Sequence, residues 1–189
     1  MILSIDDGCV LDLRIAELAQ EYDIETIFYI PVEWRSLAYD KGYEPLSYKQ
    51  ACYLARNFEI GAHTITHRHL TAIDFNDAAQ EIMESKVMLE RLFNRPVTKF
   101  CPPRGYTNEG LTSYTHMIYN SQRLTKGLGL VHIHPDSGAN GNRPWREAFA
   151  MKSKLVDNIE CWGHSWEFEK YNLWGEIEEF LHEQANSRV

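Results

Sequence analysis

The chain predicts an α/β fold, a mostly parallel sheet covered by helices that is either open or closed into a barrel. Short β-branched and aromatic runs alternate with stretches of helical period. The 189 residues and 44% hydrophobic content suit one core rather than two. No repeat, low-complexity tract or linker interrupts the alternation, so a single domain over residues 1–189 is expected.

Met1 to Ile5 is an apolar run suited to a buried strand, ended by Asp6, Asp7 and Gly8. Asp12 is placed to cap a helix carrying Ile15, Leu18, Ala19 and Tyr22 at helical spacing. Thr26 to Ile30 reads as a second strand ended by Pro31, and Glu33 to Pro45 as a loop. Ser47 and Gln50 form a capping box that opens a helix burying Ala51, Leu54 and Ala55. Phe58 to Ala62 is a third strand that delivers the chain to His63.

Asn76 begins a long helix with Ala79, Ile82, Met83, Leu89, Leu92 and Phe93 mostly on one face, stopped before Pro96. Val97 to Cys101 is a fourth strand, broken by Pro102 and Pro103, and a helix with Leu111, Tyr114, Thr115 and Ile118 follows. Gln122 to Thr125 and Leu130 to His134 read as short strands, and Asp136 to Arg146 as a loop. Ile159 to Trp162 is a last strand before Gly163 and His164. Trp174, Ile177, Phe180 and Leu181 mark a closing amphipathic helix.

A formal charge of −8 argues against nucleic acid or an anionic membrane surface as partner, since both would repel the chain. Cys9, Cys52, Cys101 and Cys161 form no CxxC pair, so neither a zinc ribbon nor a dithiol redox motif is supported. No apolar run is long enough to span a bilayer, and MILSIDDGCV has no basic-then-apolar leader, which gives a cytoplasmic location as the expectation. Nothing in the pattern reports oligomeric state.

In folds of this kind functional groups collect at the carboxyl ends of the strands. Asp6 and Asp7, His63 and His67, Pro103 and Arg104, and His164 all follow predicted strands. His63 and His67 lie four apart, which on one face of a helical turn lets both imidazoles reach one ion. Two imidazoles and the Asp7 carboxylate would hold a divalent ion on one side and leave positions open for water and substrate. Such an ion lowers the pKa of bound water and polarises a carbonyl. Asp6 is the candidate base for that water, and His164 the candidate proton donor to an amine leaving group.

SIDDG at 4–8 and HTITH at 63–67 resemble the first two motifs of the polysaccharide deacetylase family, carbohydrate esterase family 4, written TFDDG and HTxxH. TIFYIP at 26–31 and EIGAHT at 59–64 look like its second and third strands. VTKFCPPRG at 97–105 sits where the third motif belongs, and GHSWE at 163–167 is similar to the closing motif that presents the acid histidine. The resemblance covers nearly the whole chain and is looser from about residue 107 to 158.

It implies a distorted (β/α) barrel of about seven strands and a metal-dependent hydrolase that removes acyl groups from N-acylated sugars. Carried over by position, Asp6 is the general base, Asp7, His63 and His67 the metal ligands, and His164 the general acid. Zn2+ is the expected ion, with Co2+ or another divalent ion as substitutes.

The third motif departs from the family's FRPPYG, with Cys101 where the family has arginine and Arg104 where it has tyrosine. That arginine normally steadies the base carboxylate, and the expectation is that the Arg104 guanidinium folds back to replace it. Asp136 in HPDSG is the candidate support for His164. Among the C-terminal aromatics Trp162, Trp166, Phe168, Tyr171 and Trp174, most are expected in the core, with Trp162 and Arg104 taken as substrate contacts. His132 and His134 alternate on their strand and face the same way.

Three other readings stay open: a metal-dependent hydrolase of a non-sugar amide or cyclic imide, a sugar-binding homologue with a decayed site, and a non-haem iron oxygenase. The last would need a β-rich pattern that this chain lacks.

Overall fold

The computed structural model describes residues 1–135 and 145–187, with the backbone alone at Tyr39. Seven parallel strands form one sheet: β1 (Ile2–Asp6), β2 (Thr26–Ile30), β3 (Glu59–Ala62), β4 (Lys99–Phe100), β5 (Ser121–Gln122), β6 (Leu130–His132) and β7 (Glu160–Gly163). Their order is β5-β4-β3-β2-β1-β7-β6. Eight α-helices accompany them among the described residues: α1 (Asp12–Glu21), α2 (Trp34–Lys41), α3 (Tyr48–Asn57), α4 (Phe75–Phe93), α5 (Glu109–Ile118), α6 (Trp145–Lys152), α7 (Ser165–Lys170) and α8 (Trp174–Asn186). No described helix is long and apolar enough to cross a membrane.

A strand is present at each anticipated position, with β4 and β6 shorter than their runs and β5 shifted to Ser121–Gln122, sharing only Gln122 with the expected Gln122 to Thr125. The capping box is formed: Gln50 N–H donates to Ser47 Oγ and Ser47 N–H to Gln50 Oε1. Asp74 caps α4, and Asn94 ends it in a left-handed conformation before Pro96.

Three expectations are corrected here. Residues 34–41 fold into α2 instead of a loop; Trp34 and Ala38 are buried at i and i+4, with Arg35 and Ser36 exposed between them. Trp145 and Arg146, expected in a loop, begin α6. Asp12 caps nothing: Leu11 is the N-cap of α1, and the Asp12 carboxylate is buried, accepting a hydrogen bond from Ser165 Oγ at 2.5 Å.

Each parallel pairing keeps partners on one face of the sheet. Leu3, Ile5, Phe28, Ile30, Ile60, Val131 and Cys161 pack against the helices in the main core. Ala62 and Phe100 do the same in a second cluster with α4 and α5. The opposite face carries Asp6, Tyr29 and Gly61 in one register row and Ser4, Trp162 and His132 in another. Gly61 is required there, since a Cβ would stand 2.3 Å from the Tyr29 ring.

The sheet is strongly curled, and one contact demonstrates it. Arg123, one residue past β5, pairs with Asp6 at the end of β1. In a flat sheet four strand spacings, roughly 19 Å, would separate them, well beyond one side chain's reach. The curl brings the polar face inward as the lining of a partial barrel.

Candidate active site

β1 ends in two acidic residues that the backbone sends to different places. Asp6 keeps the strand alternation and points into the barrel. Asp7 has φ 85°, a conformation that costs a non-glycine residue free energy, and this turn carries its side chain off the alternation. Both are buried.

His63 continues the inward face of β3. The following loop is not the helical turn expected from the four-residue spacing. Thr64 and His67 have φ of 67° and 59°, and these two left-handed residues fold the loop back so that the imidazole centroids lie 4.9 Å apart. Glu81 of α4 clamps the loop, accepting hydrogen bonds from Ile65 N–H at 2.8 Å, Thr66 N–H at 2.9 Å and Thr66 Oγ1 at 2.6 Å. On its other side Val32 and Glu33 N–H donate to the Thr64 and Ile65 carbonyls.

His63 Nδ1 lies 2.6 Å from the Cys101 carbonyl oxygen. A carbonyl only accepts, so Nδ1 carries the proton and Nε2 presents a lone pair. Burial pushes His63 down to about 4, keeping the ring neutral. Nε2 of His63 and of His67 lie 3.6 and 3.2 Å from Asp7 Oδ1. That oxygen is buried and accepts no hydrogen bond among the described residues. A lone pair aimed at an orphaned carboxylate oxygen is repulsive unless a cation stands among them. Asp7, His63 and His67 therefore fit a divalent ion with one carboxylate and two imidazole ligands.

The other oxygen of Asp7 is crowded with donors: Lys41 Nζ at 2.5 Å, Trp166 Nε1 at 3.4 Å and His164 Nε2 at 3.7 Å. Burial disfavours the charged carboxylate, but His164, His67 and Lys41 outweigh it and hold Asp7 well below the usual carboxylate range.

The cation on Asp6 is Arg123, which corrects the expectation for Arg104. Arg123 Nη2 lies 2.5 Å from both Asp6 oxygens, and its Nε lies 3.6 Å from Glu160. Arg104 is exposed, with φ 59° in the turn after β4. Cys101, one residue past β4, and Arg123, one residue past β5, enter the same interior, so the guanidinium reaches Asp6 from the neighbouring strand. The sequence held a signal for it, since a charged residue ending a strand covered on both faces needs a buried partner.

His164 follows β7. Its Nδ1 lies 2.7 Å from Glu167 Oε2, three residues on in α7, and His132 Nε2 stands 3.6 Å from the same oxygen. Burial works against the His164 imidazolium, but Asp7, the Glu167 hydrogen bond and Asp6 raise its pKa above the ordinary histidine value. The support for His164 is thus Glu167; Asp136 lies outside the described residues. The spacing H-x-x-E at a helix start carried this information. His132 and His134 do face the same way, with rings stacked at 5.3 Å.

Trp162 does not offer an open platform. It is 7% exposed, its ring stacked on His132 at 3.8 Å with Arg123 4.9 Å from its centroid. Trp166 is the half-buried indole at the site, stacked on Tyr43 at 5.9 Å.

Residues 1–118 match the family model described as polysaccharide deacetylase, a span that includes Asp6, Asp7, His63 and His67. The chain belongs to the polysaccharide deacetylase family. Solved structures of that family share the fold. The Bc1960 peptidoglycan N-acetylglucosamine deacetylase superposes with a TM-score of 0.70 at 16% identity, over 99% of this chain and 81% of that one. A family 4 carbohydrate esterase from Streptomyces lividans gives 0.66 at 16% identity, over 98% and 88%. A mutant of BA3943, a CE4 family pseudoenzyme, gives 0.66 at 18% identity, over 97% and 62%. Comparison with curated protein sequences gives no significant match. The similar structures thus include proteins described as a deacetylase, an esterase and a pseudoenzyme.

Proposed function

We propose that the protein is a metal-dependent N-deacetylase that hydrolyses the acetamide of an amino sugar, as a monosaccharide unit or within an oligo- or polysaccharide. The observation that carries this is the orphaned Asp7 Oδ1 facing two imidazole nitrogens, with Asp6 and His164 on adjoining strands of the same barrel end. Asp7, His63 and His67 would hold the ion, Zn2+ first and Co2+ or another divalent ion as a substitute. When bound, it polarises the acetamide carbonyl and acidifies water.

The chain's own residues supply the proton traffic. Asp6, held by Arg123, takes the proton from the attacking water. His164, charged and with Nδ1 fixed on Glu167, presents Nε2 toward the site and gives its proton to the departing amine. Trp166 and Tyr43 form the aromatic wall beside Asp7, and Arg104 lies exposed on the turn after β4 for a further sugar contact.

Incubation with N-acetylglucosamine oligomers and Zn2+ or Co2+ is expected to release acetate, with Asp7→Ala reducing the rate at least about 100-fold. Release by the wild type that Asp7→Ala leaves unchanged would sink the proposal. Release only from small amides or cyclic imides would move the substrate class and keep the chemistry. A second reading, a sugar-binding homologue without activity, is favoured by one observation: the Lys41 ammonium already sits on Asp7. Failure of the purified chain to take up any divalent ion selects it.

A pH prediction follows from Glu167. Its carboxylate stabilises the imidazolium of His164, so Glu167→Gln lowers that pKa and the donor loses its proton at lower pH. The alkaline limb of the kcat profile should move toward acid by about one unit, with the acidic limb unmoved. An unshifted alkaline limb would deny Glu167 this role.

A further inference from the structure

Asp7 has two oxygens in unlike surroundings, and the shortest contact on one of them comes from a segment outside the motifs. Lys41 is the last residue of α2, and its Nζ lies 2.5 Å from Asp7 Oδ2. The ammonium also stands 5.3 Å over the Trp166 ring, on which Tyr43 stacks. Tyr43 in turn donates its hydroxyl to the Asp7 carbonyl at 3.2 Å. The end of α2 and the loop after it are thus folded onto Asp7 through both its side chain and its backbone.

We propose that Lys41 is a positioning residue that restricts Asp7 to a single metal-facing oxygen and weakens the site's hold on a divalent ion. The proposal rests on the metal reading above. With Oδ2 committed to Lys41 and Trp166, the carboxylate offers Oδ1 alone to an ion shared with His63 and His67. The lysine charge also offsets that of Asp7, so the ligand set attracts a dication less than a bare carboxylate with two imidazoles does. Loss of a partner that orients a metal-binding group ordinarily weakens affinity by about 10- to 100-fold. Here the orienting partner is itself a cation, so its removal should tighten binding. Lys41 is a poor competitor for the ion's own place, because it binds Oδ2 whereas the two imidazoles approach Oδ1.

The test is Co2+ affinity of the metal-stripped wild type, Lys41→Met and Lys41→Arg, each measured at one pH in competition with a chelator. The methionine keeps the stem that packs toward Trp166 while removing the charge. Lys41→Met is expected to bind Co2+ about tenfold or more tightly than wild type, because one positive charge next to the ion is gone. Its Co2+ visible bands should also be weaker, because the freed Oδ2 raises the coordination number, and Lys41→Arg should stay near wild type. Equal or weaker binding by Lys41→Met, with normal uptake by the wild type, overturns the proposal and leaves the metal site standing. Absence of Co2+ uptake by all three proteins overturns both.

Discussion

Arg123→Met is expected to destabilise the protein by about 3–5 kcal/mol and to lower kcat on the order of 100-fold. The stability loss arises because Asp6 stays buried and Glu160 half-buried without their shared cation. The rate loss arises because Asp6 loses the contact that fixes its carboxylate. Urea denaturation separates the two: adding Asp6→Asn to Arg123→Met should restore about 1–3 kcal/mol, since the neutral amide no longer needs the guanidinium, while activity stays lost. Additive stability losses in the double variant would mean the pair is not coupled.

The deficit should also depend on pH. Burial holds Glu160 above the usual carboxylate range against the pull of Arg123. Without that pull the folded state binds a proton more readily than the unfolded state. The stability of Arg123→Met should therefore improve as pH falls from neutrality through the raised Glu160 pKa toward the ordinary glutamate value.

Glu81→Ala is expected to weaken divalent-ion affinity about 10- to 100-fold, although Glu81 ligates nothing. Its carboxylate gathers three donors from Ile65 and Thr66, the middle of the loop between the two histidines. Losing them frees a loop that depends on left-handed backbone at Thr64 and His67, and should cost about 1–3 kcal/mol. Chelator competition measures the affinity, and amide hydrogen exchange at Ile65 and Thr66 should accelerate. An alanine variant with wild-type affinity would show that the sheet and the Val32 and Glu33 contacts hold the loop without Glu81.

Most strands were legible because they are short apolar runs, several closed by Gly, Pro or Asp, and a parallel sheet covered by helices demands that pattern; β5, Ser121–Gln122, is polar and was placed one residue off. Asp6, Asp7, His63 and His67 were legible as residue types at strand ends. How they converge was not. The φ values at Asp7, Thr64 and His67 belong to residues that carry no glycine signal. Arg123 was hidden by distance, since the contact with Asp6 spans 117 positions and exists only because the sheet curls. Glu167 was within local reach, one helical turn past His164, while Asp136 lies outside the described residues. Lys41 fell in a stretch read as loop, where helical spacing rests on Trp34 and Ala38 alone.

The sheet's edge strands, β5 and β6, are two and three residues long, and Arg123 lies just past the first of them. Its guanidinium crosses the interior to β1 and β7, lacing the open seam from within. Any widening of that seam would draw the arginine off Asp6, so the position of the barrel wall and the readiness of the proposed base would be linked through one side chain.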